Sequence, residues 1–116
     1  MAAGIYNFRC EQGADFDRTI YARDSAGTLI NLTGKTGRMH VRKDVDATST
    51  LIELTSANGR MILGGAAGTV RLLVPAATTA TLTKSGVYDI EIVDPVSGSV
   101  TRILKGEFIL DKEVTR

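Results

Sequence analysis

A reaction needs nucleophiles, bases or metal ligands held close together, and this chain of 116 residues offers one histidine and one cysteine. His40 stands between Arg38 and Arg42 in the run RMHVRK. Alone it cannot build a multi-histidine metal site, and its place on a polar strand face reads as a surface or interface side chain. Cys10 has no second cysteine, which excludes an internal disulfide and a cysteine-built zinc site. With no histidine near it in sequence, it reads as a buried structural thiol. Gly34-Lys35-Thr36 carries the end of a phosphate loop. The full spacing needs a glycine where Leu29 stands and a helix where an alternating strand follows, so nucleotide binding is not assigned. Asp44 and Asp46 begin like a calcium loop, but the glycine and glutamate at the later offsets are missing.

Two further sets were weighed. Asp89 and Glu91 share one face of a strand, roughly 7 Å apart by strand rise. That separation is not foreign to glycoside hydrolysis, yet it is also the pattern of any solvated strand face, and no tryptophan offers a sugar platform. Lys35, Arg38, Arg42 and Lys43 form a basic cluster without the interleaved aromatics that stack bases. Arg38 and Arg42 are expected to pair with acidic groups on a neighbouring strand or subunit. No catalytic, cofactor-binding or metal-ligating residue is therefore assigned, and the chain is read as a non-enzyme.

The totals agree with that reading. A net charge of +1 exerts no long-range pull on nucleic acid or an anionic membrane, and neither is expected as a partner. No apolar run approaches the roughly 20 residues that span a bilayer. The opening MAAGIYNFRC lacks the basic and long apolar regions of a signal peptide, so folding inside a cell is expected. A chain of this length with 43% hydrophobic residues can bury one core.

The elements that would position these residues are strands. Two-residue alternation predicts strands over 5–11, 16–23, 28–32, 38–43, 50–55, 61–63, 69–74, 87–93, 99–105 and 107–112, with residues 1–4 a flexible arm. Arg18 breaks the inner row of the second strand, and Arg102 blurs the parity of 99–105. Gly106 is expected to mark a bulge or bend, Asn58-Gly59 a turn because both residues tolerate positive φ, and 64–68 a flexible bend. Residues 75–80 are the one plausible helical turn, with Pro75 at its first position. Short strands with turns every eight to twelve residues predict a single all-β domain over 5–116, an immunoglobulin-like β-sandwich of about eight or nine mainly antiparallel strands once the shortest segments are merged or left unpaired. Its core candidates are Phe8, Phe16, Ile20, Met39, Val41, Ile52, Leu54, Val70, Leu72, Tyr88, Ile90, Ile92, Phe108 and Leu110. Tyr88 opens a central strand, and its hydroxyl is expected to bond to backbone just upstream.

The order of segments carries a resemblance. An Asp- and Arg-rich strand is followed by DSAGTLINLTGKTGRMHVR, an ELTSANG turn, LTKSGVYDIEIVDPVSG and RILKGEFILDKEVTR. Residues 24–27 through 32–34, Gly86 with Tyr88, Asp94 and Gly106 carry most of it. Over about residues 5–116 the chain resembles the small β-sandwich proteins and domains of tailed-phage baseplates and tail fibres. In layout it is similar to the N-terminal domain of siphophage baseplate upper proteins. The resemblance implies a structural virion protein of the tail, assembled in the host cytoplasm. Its partners would be other tail or baseplate proteins and further copies of itself. It brings no catalytic residue to this sequence.

From the residues themselves, Arg38, His40, Arg42, Leu73 and Ile109 are the candidate interface, because Leu73 and Ile109 fall on nominally outward strand faces. The mobile ends are also expected to be able to add a strand to a neighbour's open sheet edge. The alternative function is a soluble carbohydrate- or host-surface-binding module, for which Tyr6 and Tyr21 would be the contact residues.

Overall fold

Alternation divides each strand into a core row and a solvent row, and two sheets close over the core rows. The computed structural model describes residues 4–24 and 26–114. Its strands are β1 (Gly4–Ile5), β2 (Phe8–Glu11), β3 (Phe16–Tyr21), β4 (Thr36–Arg42), β5 (Ile52–Thr55), β6 (Met61–Leu63), β7 (Thr69–Val74), β8 (Gly86–Val93) and β9 (Val100–Asp111). The larger sheet has the order β1-β9-β8-β4-β5, with β2 also on β9, and the smaller has the order β3-β7-β6. β1 and β2 run parallel to β9, and every other pairing is antiparallel. This is an immunoglobulin-like β-sandwich, with the first strand crossed over to lie on the last.

All the core candidates are buried except Ile20, which is half-buried. Cys10, Ala22, Leu32, Met61, Val74, Leu82 and Ile103 join them. Four aromatic rings form the centre. Phe8 lies 5.8 Å from Phe16 and 5.0 Å from Tyr88, and Phe16 lies 5.5 Å from Phe108. Burial pushes the Cys10 thiol up to about 11, with Arg18 opposing weakly.

Several boundaries differ from the sequence expectation, each for a packing reason. Gly4 lies in β1 rather than in the arm, paired with Leu104, while residues 1–3 lie outside the described residues. The expected strand over 5–11 is broken at Tyr6 and Asn7. There the chain steps out of the ladder, and Tyr6 N–H donates to the Lys105 carbonyl at 2.9 Å while the Asn7 side chain accepts from Glu107 N–H at 3.0 Å. Gly106 makes room for the step, because a Cβ there would run into the Tyr6 carbonyl. Gly106 therefore sits inside one continuous twelve-residue strand instead of separating two. The bulge falls at Ile103. Leu104 pairs with Ile90 and Arg102 with Glu91, so Ile103 is the extra residue. It turns into the core and resets the parity that Arg102 had blurred.

Of the two forms open to residues 28–32, a short strand or the far arm of a hairpin, the structure has a short hairpin arm, with one antiparallel bridge between Leu29 and Arg23. The segment is crossing between sheets, and its amides go to two places: Ile30 to the Ala22 carbonyl at 2.8 Å and Leu32 to the Gly65 carbonyl at 2.9 Å. At the Asn58-Gly59 turn only the glycine has positive φ, at 77°. The turn leads from the larger sheet to the smaller, and Asn58 serves through its side chain, which accepts from Thr55 and Arg60 amides at 3.0 Å. The 64–68 bend is a short 3-10 turn over Gly65–Ala67. The helical turn α1 covers Ala76–Thr79 with Pro75 just outside it as the cap. Asp15 accepts from Ala76 N–H at 2.8 Å, and the buried Thr79 hydroxyl donates to the Ala14 carbonyl at 2.7 Å. This clamps the β2–β3 turn to the base of the sandwich.

The Tyr88 hydroxyl does not return to backbone just upstream. It donates a short hydrogen bond to the Tyr6 carbonyl, 82 residues earlier, where the first strand breaks. Burial raises the Tyr88 hydroxyl above the ordinary tyrosine range. Tyr88→Phe strands that carbonyl and is expected to destabilise the fold by about 1–3 kcal/mol. Urea unfolding measures it, and equal midpoints for the two forms would refute the assignment. For Cys10, the folded thiol stays protonated up to about 11 while an unfolded one ionises near its ordinary value of 9.0. Stability is therefore expected to fall as pH rises from 9 toward 11, and a thiol reagent at pH 8 should label the urea-unfolded chain far faster than the native one. Equal labelling rates would place the thiol at the surface.

Candidate protein-binding face

On the outward face of the larger sheet β8 and β4 carry opposite signs of charge. β9 presents Arg102 and Lys105 with Glu107 next along it, β8 presents Asp89 and Glu91, β4 presents Arg38, Arg42 and the titratable His40, and β5 presents Glu53. The register sets these into rows. One row reads Lys105, Asp89, His40, Glu53 across the four strands, and the next reads Arg102, Glu91, Arg38, Thr55. Cross-strand neighbours of opposite charge attract on such a face, so the stripes hold the register as well as decorate it.

The contacts follow the stripes. Arg38 Nε donates to Glu91 at 2.7 Å, and Arg102 Nε lies 3.3 Å from Asp89. His40 Nε2 is 3.7 Å from Glu53, while Arg42 lies 3.2 Å from His40 Nδ1 and donates to the Ala47 carbonyl at the same distance. Arg38 thus finds the acidic partner on a neighbouring strand that its sequence suggests. Arg42 does not: it is tied to the histidine ring and the β4–β5 loop. Asp89 and Glu91, weighed as a carboxylate pair for glycoside chemistry, are each engaged by an arginine. Arg42, Val87 and Asp89 line an open groove of about 570 Å³ together with Ile5 and Val45. Those two side chains are 77% and 83% exposed, so apolar surface flanks the charged stripes.

Four of the five candidate interface residues share this face. Arg38, His40 and Arg42 lie on it together, and Ile109 is on it beside Arg9, half-buried. Leu73 is not brought to them. It sits on the outer side of the smaller sheet, half-buried opposite Asp17. On that side Arg71 grips Asp17 with two bonds of 3.1 and 2.8 Å, which hold the Asp17 carboxyl below its usual range. Tyr6 and Tyr21 are likewise on different sheets and make no shared platform. The residues that sequence reading passed over are Lys105, Arg102 and Glu53. Their signal is the opposite sign of successive strands, readable only once register is known.

A few carbonyls along the sheet edges are capped by side chains. The Glu53 carbonyl on β5 accepts from Asn58 and Arg60 side chains at 3.0 and 3.2 Å. Arg18, the residue that broke the inner row of β3, lies over the Phe16 ring and donates to the carbonyls of Asp17 and Arg9 at 3.1 and 3.2 Å. A positive side chain laid along an edge discourages edge-to-edge pairing. Among the described residues no group of three or more metal-ligating side chains is gathered, and no helix is long and apolar enough to cross a membrane.

No family model matches the sequence, and no curated protein does. Among solved structures, the chain is similar to the NK cell receptor Nkp44, described as a triggering partner in natural cytotoxicity, at 16% identity and a TM-score of 0.49. The match covers 96% of this chain and 100% of that one.

A double-mutant cycle on Arg38 and Glu91, each changed to alanine, should return a coupling of about 0.2–1 kcal/mol that shrinks with added salt. Strict additivity at low salt would show that the pair contributes nothing to the face.

Proposed function

We propose that this chain is a non-enzymatic structural subunit of a tailed-phage particle, an adaptor of the tail, baseplate or fibre attachment that works by packing against other proteins. The observation that carries the reading is the outer face of the larger sheet. Its ionisable groups are matched to one another across strands, and exposed Ile5 and Val45 flank a groove on a rigid backbone. A face of this kind is suited to docking, since apolar anchors in a polar surround are what protein interfaces use. Capped edge carbonyls also favour contact through faces. The resemblance of the sequence to small phage sandwich proteins supplies the setting: assembly in the host cytoplasm and residence in the virion tail. The carbohydrate-binding alternative draws on Tyr6 and Tyr21, and their separation on two sheets weakens it.

The test is quantitative mass spectrometry of particles purified from the phage that encodes the chain, beside particles from a strain lacking it. A fixed copy number, and tails without fibres or baseplates in the deletion, are expected. Absence of the chain from intact particles would overturn the proposal.

A further inference from the structure

We infer that the striped face of the larger sheet binds the same face of a second copy of this chain, through a two-fold axis that runs parallel to the strands between β8 and β4. Charge complementarity across that axis selects the second copy as the occupant. β9, β8, β4 and β5 are successive neighbours in the sheet, so that axis lies at the centre of the four stripes. Half a turn about it lays β5 of the second copy on β9, and its β4 on β8. Heights along the strands are preserved, so the rows meet themselves reversed. Lys105 then faces Glu53 of the second copy, Asp89 faces its His40, and Glu91 faces its Arg38. Arg102 meets the neutral Thr55. Opposite charges then meet in depth at Lys105 with Glu53 and at Glu91 with Arg38, Asp89 meets a histidine ring, and neither row produces a like-charge contact.

The pattern is specific to this arrangement of strands. A sliding error of one strand to the other side, putting the axis through β8 itself, would set β8 on β8 and crowd four carboxylates together. Like charges brought face to face cost several kcal/mol, so the stripes select against that register. The contact is self-complementary, as two-fold symmetry demands.

Its size predicts its strength. Three strands of about seven residues and the four residues of β5, at a spacing of about 4.8 Å and a rise of about 3.4 Å, cover roughly 400 Å² per partner. That lies below the standard size of stable interfaces, in the range of weak, transient ones, and much of it is charged. The dimer is accordingly weak, fast and sensitive to salt in solution, and suited to a site where neighbours hold the local concentration high.

The inference rests on the packing reading above for its use in a particle, but its test does not. Lys105 and Glu53 are both exposed and lie three strand spacings apart within one chain, about 14 Å, so neither has a reason to feel the other except across copies. Sedimentation velocity of the purified chain over a wide concentration range, at low and high sodium chloride, should show a monomer–dimer equilibrium that weakens with salt. Lys105→Glu and Glu53→Lys should each weaken dimerisation about five- to tenfold. Mixing the two variants should restore it, because each mixed pair then sets a lysine against a glutamate at both positions. Circular dichroism and unfolding midpoints confirm that the variants keep the fold. A strict monomer at low salt, association indifferent to either reversal, or mixed variants that fail to associate would each overturn the inference. The chain's copy number in particles would stand unaffected by any of these.

Discussion

The bond from Tyr88 to the Tyr6 carbonyl fixes the relation between the two ends of the chain. The first strand must start on β9, leave it at Tyr6 and return at Phe8, and a backbone carbonyl is exposed at the step. In the interior such a carbonyl needs a donor, because an unpaired buried acceptor costs about 1–3 kcal/mol. Tyr88 supplies the donor from the next strand but one, and Gly106 on the strand between leaves the space. Three residues from three distant parts of the sequence thus solve one problem. Where antibody domains hold their sheets with a disulfide behind a tryptophan, this chain has neither. Phe8, Phe16, Tyr88 and Phe108 occupy the centre instead, and the tyrosine joins the aromatic packing to the backbone stitch.

The surface depends on the same frame. Lys105 points outward only because the extra residue at Ile103 resets the alternation of β9. Without the bulge, the outward row of β9 would continue from Arg102 to Leu104 and Gly106, and the groove would lose its cationic wall. One inserted residue therefore serves the core and the charge pattern together. The helical turn and the β2–β3 turn do comparable work at the base, where the Thr79 hydroxyl, Asp15 and Gln12 tie loops that carry few apolar contacts of their own.

The edges and the faces of the sandwich are treated differently. Arg18, Asn58 and Arg60 spend their donors on edge carbonyls, whereas the outer face of the larger sheet leaves Lys105 and Glu107 in solvent beside Ile5 and Val45. A protein that presents faces and closes edges can assemble with defined partners without polymerising through its backbone.

Much of this was readable from the sequence, and the physical reason is locality. Alternation at period two is imposed residue by residue, so the strand rows, the core from Phe8 to Leu110 and the all-β sandwich follow from the sequence alone. Asp24, Asp44 and Asp94 mark their turns for the same reason, each accepting bonds from amides two to four residues ahead. What the tertiary structure decided is everything that needs register: the destination of the Tyr88 hydroxyl, the place of the bulge, the shortness of the 28–32 pairing, the separation of Leu73 from Arg38, and the charge rows themselves. A sequence states which residues alternate, but it does not state which residue of one strand lies opposite which residue of another. That is settled only when side chains from distant segments compete for one interior.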